Sequence, residues 1–389
     1  MTVITAPGWS QERLAALKMT CPVEQIAGQW VTLRRRGKRM VGPCPICSTN
    51  PQSRTAARFE IAGDRWMCAV CQDGGDVIAL VMRRRGCTFD QAVRWLGGDR
   101  LGVISARERR QIEQRTRQTA ERARTAEQFR QRELQTLRDI WDRALPLDGT
   151  PAHDYLRRRG IVMAADTLRL RCVLAMPYYY AREIIGRAPA MVGMIERDGA
   201  LSGLHLTWID LAAATGKGKA VFVAPDTGEI LPAKKCRGSV AGGHIVLVTP
   251  GAPRRLILAE GIETALSVWQ VFARNGRDDG LAVWSGIDLG NLGGAAIATL
   301  KHPTLKTRNN RPLRVPGPVP DFSRPGIVLA PSIAEVTLLR DGDSEAVLTD
   351  YALQRGKERF FRQRPDVVVR IARCPDGMDF NDWCQAEAG

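Results

Sequence analysis

Residues 256–263 read Leu-Ile-Leu-Ala-Glu-Gly-Ile-Glu, and residues 336–343 read Val-Thr-Leu-Leu-Arg-Asp-Gly-Asp. Each stretch is an apolar run of strand length that stops at an acidic residue followed by glycine, Glu260 in one case and Asp341 in the other. The carboxyl ends of parallel strands share one crevice in an open α/β sheet, so these carboxylates are expected to converge. Clustered carboxylates bind Mg²⁺, which takes phosphate oxygens as further ligands. The pattern therefore predicts an α/β fold and phosphoryl-transfer chemistry.

Strand and helix patterns alternate through the last third of the chain. The predicted strands are 256–259, 281–284, 336–340 and 366–371, and the predicted helices are 263–274 and 344–358. This alternation is typical of a mainly parallel sheet covered by helices. The segment from Thr299 to Pro325, rich in prolines and basic residues, is expected to be a surface loop.

Two Cys-x-x-Cys pairs lie far upstream, and twenty residues separate them: Cys44 with Cys47, and Cys68 with Cys71. This spacing is typical of a four-cysteine zinc ribbon, although four buried, inert thiols are an alternative. Four thiolates leave no open coordination position, so the zinc is expected to be structural. Nearby Trp66 is a candidate either for stacking on an unpaired base or for a place in a small core.

The composition favours a nucleic-acid partner. The 389 residues are enough for two to four domains, and 57 Lys+Arg against 41 Asp+Glu give a formal net charge of +16. That excess favours a polyanion, although solvated surface arginines would also explain it. The first residues lack the pattern of a signal peptide, and no apolar run is long enough to span a membrane. Ten cysteines, four of them in metal-type pairs, indicate a reducing compartment, so we expect a cytoplasmic protein.

Composition also divides the chain into four parts. Residues 1–100 hold the cysteine pairs, and residues 101–150 are interpreted as a mostly solvated helical linker or a partly disordered spacer. Residues 151–250 mix short strands with turns, and residues 251–389 hold the alternating pattern.

Several groups of residues resemble motifs of the bacterial DnaG-type primases. The zinc-binding domain of that family is similar to Gly42-Pro43-Cys44-Pro45-Ile46-Cys47, Trp66-Met67-Cys68-Ala69-Val70-Cys71, Gly74-Gly75-Asp76-Val77-Ile78 and Phe89-Asp90-Gln91-Ala92-Val93. The motif that opens the family's polymerase region is similar to Tyr155-Leu156-Arg157-Arg158-Arg159-Gly160-Ile161. The three acidic motifs of the Toprim fold are similar, in order, to Glu260-Gly261, Asp341-Gly342-Asp343 and Pro375-Asp376-Gly377-Met378-Asp379-Phe380-Asn381-Asp382.

The resemblance implies a DNA primase that joins NTPs on single-stranded DNA. It implies a zinc-ribbon DNA-binding domain over residues 1–100, an α+β polymerase region over 151–250 and a Toprim catalytic domain over 251–389. It also implies structural Zn²⁺, catalytic Mg²⁺ or Mn²⁺, and a replicative helicase as a partner in trans. The compact layout is most similar to primases carried by phages, plasmids and other mobile elements.

The resemblance also implies roles for individual residues. The expected ligands of the catalytic metal are Asp341, Asp343 and Asp379, with Glu260 as a further ligand or as a base. The residues expected to bind template and nucleotide phosphates are Arg34, Arg35, Lys217, Lys219, Lys234, Lys235 and Arg237. Capping or turn-forming roles are the alternative for each acid, and solvated surface positions for each cation. His205 and Asp288 are weaker candidates.

Three positions depart from the family pattern. Cys47 stands where the family usually has histidine, Thr264 where a second acid is usual, with Glu263 one residue earlier, and Asn381 where aspartate is common. Two other functions therefore stay open: a stand-alone Toprim nuclease, and a DNA-binding replication accessory whose metal site has decayed.

Overall fold

The structure, a computed structural model, describes residues 9–37, 39–48, 50–53, 58–68, 70–71, 73–98, 106–213, 216–307 and 310–387. The chain divides into two compact units, Met1–Gln128 and Phe129–Gly389.

The first unit is a five-stranded antiparallel sheet with short helices. Its helices are α1 (Gln11–Thr20), α2 (Val23–Gly28), α3 (Val77–Arg85) and α4 (Phe89–Trp95). Its strands, β1 (Arg34–Arg36), β2 (Arg39–Gly42), β3 (Phe59–Ala62), β4 (Arg65–Cys68) and β5 (Asp73–Gly75), pair in chain order. The Asp76 carboxylate accepts a hydrogen bond from the N–H of Ala79 at 3.0 Å and thereby caps α3.

Trp66 belongs to the core of this unit. Its side chain is buried, packs beside Phe59 with ring centroids 5.6 Å apart, and donates from Nε1 to the carbonyl of Asp76. The core interpretation is therefore correct, and the ring is not available for stacking on a base.

A long helix, α5 (Ala106–Arg143), follows, so the helical interpretation of the linker is confirmed over these residues. Near the end of α5, Leu137 is fully buried in a cluster that contains Tyr178, Trp208 and Phe222. This apolar contact belongs to the second unit.

The second unit is built on a ten-stranded mixed sheet. Its sheet strands are β6 (Leu145–Pro146), β7 (Leu170–Tyr180), β8 (Glu183–Arg197), β9 (Ala200–Trp208), β12 (Lys234–Gly238), β13 (His244–Val248), β14 (Arg255–Ala259), β15 (Leu281–Ser285), β18 (Glu335–Arg340) and β19 (Val368–Arg373). The order is β12-β9-β8-β13-β15-β14-β18-β19, with β7 on β8 and β6 on β7. Strands β15, β14, β18 and β19 pair in parallel, and the other pairs are antiparallel.

Helices cover both faces of the parallel strands. The helices of this unit are α6 (Pro151–Arg158), α7 (Ile262–Arg274), α8 (Leu289–Gly293), α9 (Ala346–Gln363) and α10 (Phe380–Ala386). Strand β14 alternates its buried residues, so that Ile257 packs in the cluster with α7 and Leu258 in the cluster with α9. Burial on both faces explains why the sequence shows continuous apolar runs there.

The sequence suggested a surface loop over residues 299–325, but this segment is partly a β-hairpin. They contain an antiparallel hairpin of β16 (Thr299–Lys306) and β17 (Pro312–Pro316). A second short antiparallel pair, β10 (Phe222–Val223) with β11 (Ile230–Leu231), lies between β9 and β12 in the sequence. No helix among the described residues is both apolar enough and long enough to cross a membrane.

Candidate functional site

The four predicted zinc ligands form one cluster. The Sγ atoms of Cys44, Cys47, Cys68 and Cys71 all lie within 4.8 Å of one another. The Cys44–Cys71 separation is 3.6 Å and the Cys47–Cys68 separation is 3.9 Å. Four sulfurs at the usual Zn–S distance of about 2.3 Å would lie about 3.8 Å apart in a tetrahedron, so the cluster fits zinc.

Backbone N–H groups point at these sulfurs. Ile46 donates to the Sγ of Cys44 at 3.3 Å, and Val70 and Cys71 donate to the Sγ of Cys68 at 3.4 Å. A hydrogen bond from Cys44 and these N–H groups lower the pKa of Cys68 to about 5, although burial opposes the shift. The hydrogen bond to Cys68 raises the pKa of Cys44, and burial raises that of Cys71, so Cys68 is the sulfur favoured as thiolate, the form that binds metal.

The predicted DNA contacts of the first unit point in different directions. Arg34 is opposite Val41, and this row of side chains continues through Glu60 to Met67. Arg35 is opposite Met40, on the other face of the sheet, in the row that leads to Trp66 and the core. Both arginines are exposed, so their charged ends are open to solvent on opposite faces of the sheet.

The four acidic candidates all belong to one edge of the parallel sheet. Glu260 directly follows β14, and Asp341 and Asp343 directly follow β18. Asp379 comes after β19 and caps α10, with its Oδ1 accepting from the N–H of Asp382 at 2.6 Å. These are the carboxyl ends of adjacent parallel strands, where such crevices form.

Charges of neighbouring acids contribute to the pKa values of Glu260 and Asp341. Burial raises the pKa of Glu260, and the charges of Asp341 and Asp288 raise it further. Burial also raises the pKa of Asp341, and the charges of Asp379 and Asp343 add to it, against a hydrogen bond from the N–H of Phe380. Within the described ranges Glu260, Asp341 and Asp343 make no ion pair, and the charge of Lys234 offsets only part of the rise in the pKa of Glu260.

The acids of this edge do not form a compact ligand cluster. Outside the cysteine cluster, no three ligand atoms of His, Cys, Asp or Glu lie within 4.8 Å of one another in the described part of the chain. Mg²⁺ usually takes one or two protein carboxylates and keeps several waters, so widely spaced carboxylates are compatible with it.

Two backbone segments meet closely beside these acids. A Cβ atom on Gly342 would lie 1.9 Å from the carbonyl oxygen of Pro375, and Gly342 donates its N–H to the carbonyl of Met378 at 2.8 Å. Only glycine fits there, because the contact is with rigid backbone. The close approach brings the segment that carries Asp379 against the loop that carries Asp341.

Two of the three positions that depart from the primase pattern, Thr264 and Asn381, have structural explanations. Thr264 donates from Oγ1 to the Oδ2 of Asp341 at 3.3 Å, so it contacts the acidic edge without adding charge. Asn381 is almost fully buried and donates from Nδ2 to the carbonyl of Arg159 and to the Oγ of Ser267. Asn381 therefore fixes the position of α10 and does not lie open to a metal.

Glu263 is a site residue to which sequence reasoning gave no role. It is buried, accepts from the hydroxyl of Tyr155 at 2.6 Å, and pairs with the Nζ of Lys234 at 2.9 Å. Burial opposes ionisation, but the charge of Lys234, the Tyr155 hydrogen bond and the charge of Lys219 outweigh it and hold the pKa of Glu263 well below its usual range. A glutamate beside the first acidic motif is the only sequence signal for this contact.

The basic candidates are held by different partners. Lys217 pairs with Asp382 at 2.9 Å, and Arg237 binds the Oε1 of Glu133 through two nitrogens. Lys235 donates to the carbonyl of Tyr179 and lies 3.6 Å from the ring centroid of Tyr178. Burial, and then the charge of Lys234, lower the pKa of Lys219. Lys219 and Lys234 both act on Glu263, so these two form the compact part of the predicted groove.

The two weaker candidates, His205 and Asp288, lie near Lys234 and near Glu260, respectively. His205 is buried beside Lys234, and burial lowers its pKa to about 4. Its Nδ1 and the Oγ1 of the buried Thr207 have no hydrogen-bond partner among the described residues. Asp288 caps α8 by accepting from the N–H of Asn291 at 2.8 Å, which is the structural alternative for that residue.

Comparisons with known proteins match two parts of the chain. Residues 9–112 match the DnaG zinc-ribbon model, described as the CHC2 zinc finger, and residues 131–247 match a domain of unknown function, DUF7146. No curated protein matches. Among solved structures, the Aquifex aeolicus primase (zinc binding and RNA polymerase domains) is similar at 14% identity, over 97% of this chain and 83% of that one, with a TM-score of 0.30. The first unit thus carries a zinc ribbon similar to the DnaG type, with four cysteines placed to bind zinc.

Proposed function

We propose that the protein is a DNA primase that synthesises short RNA primers from NTPs on single-stranded DNA by metal-dependent nucleotidyl transfer. One observation carries the proposal: acidic residues follow three adjacent parallel strands, at the same edge of the sheet, in a chain that also carries a DnaG-type zinc ribbon. Residues 251–389 are proposed to be the Toprim catalytic domain, and residues 151–250 the start of the polymerase core.

The acidic edge is proposed to hold Mg²⁺ or Mn²⁺ through Glu260, Asp341, Asp343 and Asp379. When bound, such ions stabilise the attacking 3′-hydroxyl oxygen and the departing pyrophosphate. Glu260 has two alternative roles in this proposal: it is a ligand of the metal, or it is the base that accepts the proton of that hydroxyl. Asp341 is oriented for ligation by Thr264 and by the N–H of Phe380.

Nucleotide phosphates are proposed to bind at the cationic residues that precede β14. Lys219 and Lys234 both act on the buried Glu263, and Lys234 pairs with it directly. A triphosphate would supply the additional negative charge that this pair can accept. Lys217, Lys235 and Arg237 are proposed to follow the template backbone, and Arg34 and Arg35 to contact template at the zinc ribbon.

The partners follow from the same proposal. They are single-stranded DNA, NTPs and a replicative helicase in trans, for a protein that works in the cytoplasm on a mobile replicon.

The test is primer synthesis on single-stranded DNA with labelled NTPs and Mg²⁺ or Mn²⁺. Asp341→Asn is the informative variant, since asparagine can still accept from Phe380 but removes the charge. Asp279→Asn is the matched control, because Asp279 is exposed and precedes β15 at the opposite edge of the sheet. We expect RNA products from the wild type and the control, and about a hundredfold less or none from Asp341→Asn.

Metal binding provides an independent readout. Mn²⁺ should raise the thermal midpoint of the wild type and of Asp279→Asn but not that of Asp341→Asn, because a ligand that binds only the folded state stabilises it. Cleavage of labelled DNA without NTPs would favour a nuclease. DNA binding with no effect of Mn²⁺ and no product, even with a replicative helicase present, would favour a non-catalytic accessory.

A further inference from the structure

The hairpin of β16 and β17 is strongly basic. Residues 299–316 contain five Lys or Arg residues and no Asp or Glu. Lys301 and Arg314 lie directly opposite each other in the register of the two strands, and both are exposed. Like charges in such a pair repel each other. An anion bound beside both cations would offset this repulsion.

The hairpin is anchored by side chains beneath it. His302 and Val315 are almost fully buried, whereas their strand neighbours Lys301 and Arg314 are exposed. Side chains alternate along a strand, so the hairpin has one face against the protein and one basic face toward solvent. The basic face is therefore held in a fixed orientation.

The anchor connects the hairpin to the acidic edge. The Nε2 of His302 lies 2.9 Å from the Oε1 of Glu345, and the Oε2 of Glu345 caps α9 by accepting from Leu348. Glu345 is only two residues beyond Asp343. The buried Arg355 of α9 also donates to the carbonyls at the end of β17, those of Pro316 and Gly317. Helix α9 and its cap therefore hold the hairpin, and the same cap follows the acidic loop by two residues.

We propose that the solvent face of this hairpin binds the sugar–phosphate backbone of a nucleic acid strand that is bound at the acidic edge. The partner is a polyanion, because the face offers cations without acidic partners in the hairpin and would repel a basic protein surface. Backbone contacts of this kind carry no sequence preference, so they suit a strand that must slide past the site. That the strand is a template or a template with its primer rests on the proposed function.

The test is equilibrium binding of fluorescein-labelled DNA to the full chain, without NTPs, across a salt titration. One ligand is single-stranded DNA, and the other is the same strand annealed to a short RNA. The variant is Lys301→Gln with Arg314→Gln. The matched control is Lys357→Gln with Arg274→Gln, two exposed cations on α9 and α7. Loss of two phosphate contacts should lower the slope of log K against log salt by about 1.4 on the single strand.

Arg314 also donates to the hydroxyl and the carbonyl of Thr299, so the double variant could loosen the hairpin. Lys301→Glu is therefore measured as well, since Lys301 does not make these contacts, and a reversed charge should weaken binding further. A lower salt slope for the variants on both ligands, or on only one of them, supports binding by the hairpin. The ligand that is affected shows which strand the hairpin contacts.

An unchanged salt slope for the double variant and for Lys301→Glu overturns the proposal, and so does an equal loss in the control. The assay needs no catalysis. A wild type that binds through the hairpin but makes no RNA would contradict the primase proposal and leave the hairpin proposal standing.

Discussion

At the scale of single residues, the adjacent side chains of Glu263 and Thr264 contact two different groups of residues. Thr264 and Glu263 are neighbours in the first turn of α7, and consecutive helical residues point about 100° apart. Thr264 therefore faces Asp341, while Glu263 faces Tyr155 and Lys234. The acid that the family pattern places at residue 264 cannot be replaced by Glu263, since the two side chains point to different groups.

Glu263→Gln should lower the free energy of unfolding by about 1–3 kcal/mol at pH 7. Glutamine keeps an acceptor for Tyr155 but leaves the charge of Lys234 without its partner, and partial exposure of Lys234 limits the loss. The pKa of Glu263 is lowered in the folded state. Its contribution is therefore complete above the usual glutamate pKa of about 4.3 and is lost as the pH falls below that value.

Denaturant unfolding at pH 7 and at about pH 3.5 checks this prediction. The gap between the wild type and Glu263→Gln should shrink at the lower pH. Ser267→Ala serves as the control, because it removes hydrogen bonds from the same helix without touching a carboxylate. A gap of equal size at both pH values would contradict the assigned role.

At the scale of elements, the sequence predicted the strands of the parallel sheet well. The observed β14 and β18 begin one residue before the predicted 256–259 and 336–340 and end at the same residues. Apolar runs bounded by acid-glycine pairs are strong local signals, because strands buried on both faces need continuous apolar residues. The cysteine spacing was equally informative, and all four sulfurs do come together.

The hairpin could not be predicted in the same way. Prolines at 303, 312 and 316 and the basic residues interrupt the apolar–polar alternation that normally indicates a strand. Among the described residues of the two strands, only His302 and Val315 are buried. Contacts from α9, distant in sequence, stabilise these strands. The opposite directions of Arg34 and Arg35 and the burial of Asn381 also depend on pairing and packing, which a motif alone does not give.

Asp379 combines a cap with a proposed metal ligand, and two substitutions separate these roles. Asparagine caps helices about as well as aspartate, so Asp379→Asn should keep the stability of α10. Asp379→Ala should cost about 1 kcal/mol. Both should lose primer synthesis and Mn²⁺-induced stabilisation, since both remove the carboxylate. Thermal unfolding with and without Mn²⁺ tests this, and an active Asp379→Asn variant would exclude Asp379 as a necessary ligand.

At the scale of the whole molecule, the hydrophobic cores fall into separate units. The cluster around Phe59 and Val81 lies in the first unit, while the clusters around Ile257, Leu258 and Trp208 lie in the second. The first unit has the smaller core, and zinc binding typically contributes about 10–16 kcal/mol to the folding of such small domains. The stability of the first unit should therefore depend on metal, and that of the second should not.

Chelation of zinc at neutral pH should remove one unfolding transition in calorimetry and leave the other unchanged. Cys68→Ser should have the same effect as chelation, because it removes one of the four ligands. Cys236→Ser is the control, since Cys236 is an exposed cysteine of the second unit. A single transition that shifts as a whole on chelation would show that the two units unfold together.

The pairing of β13 with β15 has a practical consequence for how this protein can be shortened. Residues 245, 246 and 248 of β13 pair with residues 283–285 of β15, across the predicted boundary at residue 250. A fragment that begins at residue 251 would leave one side of β15 bare, and bare central strands recruit other chains. Such a fragment is prone to aggregate during expression, whereas a fragment of residues 129–389 keeps the whole sheet intact.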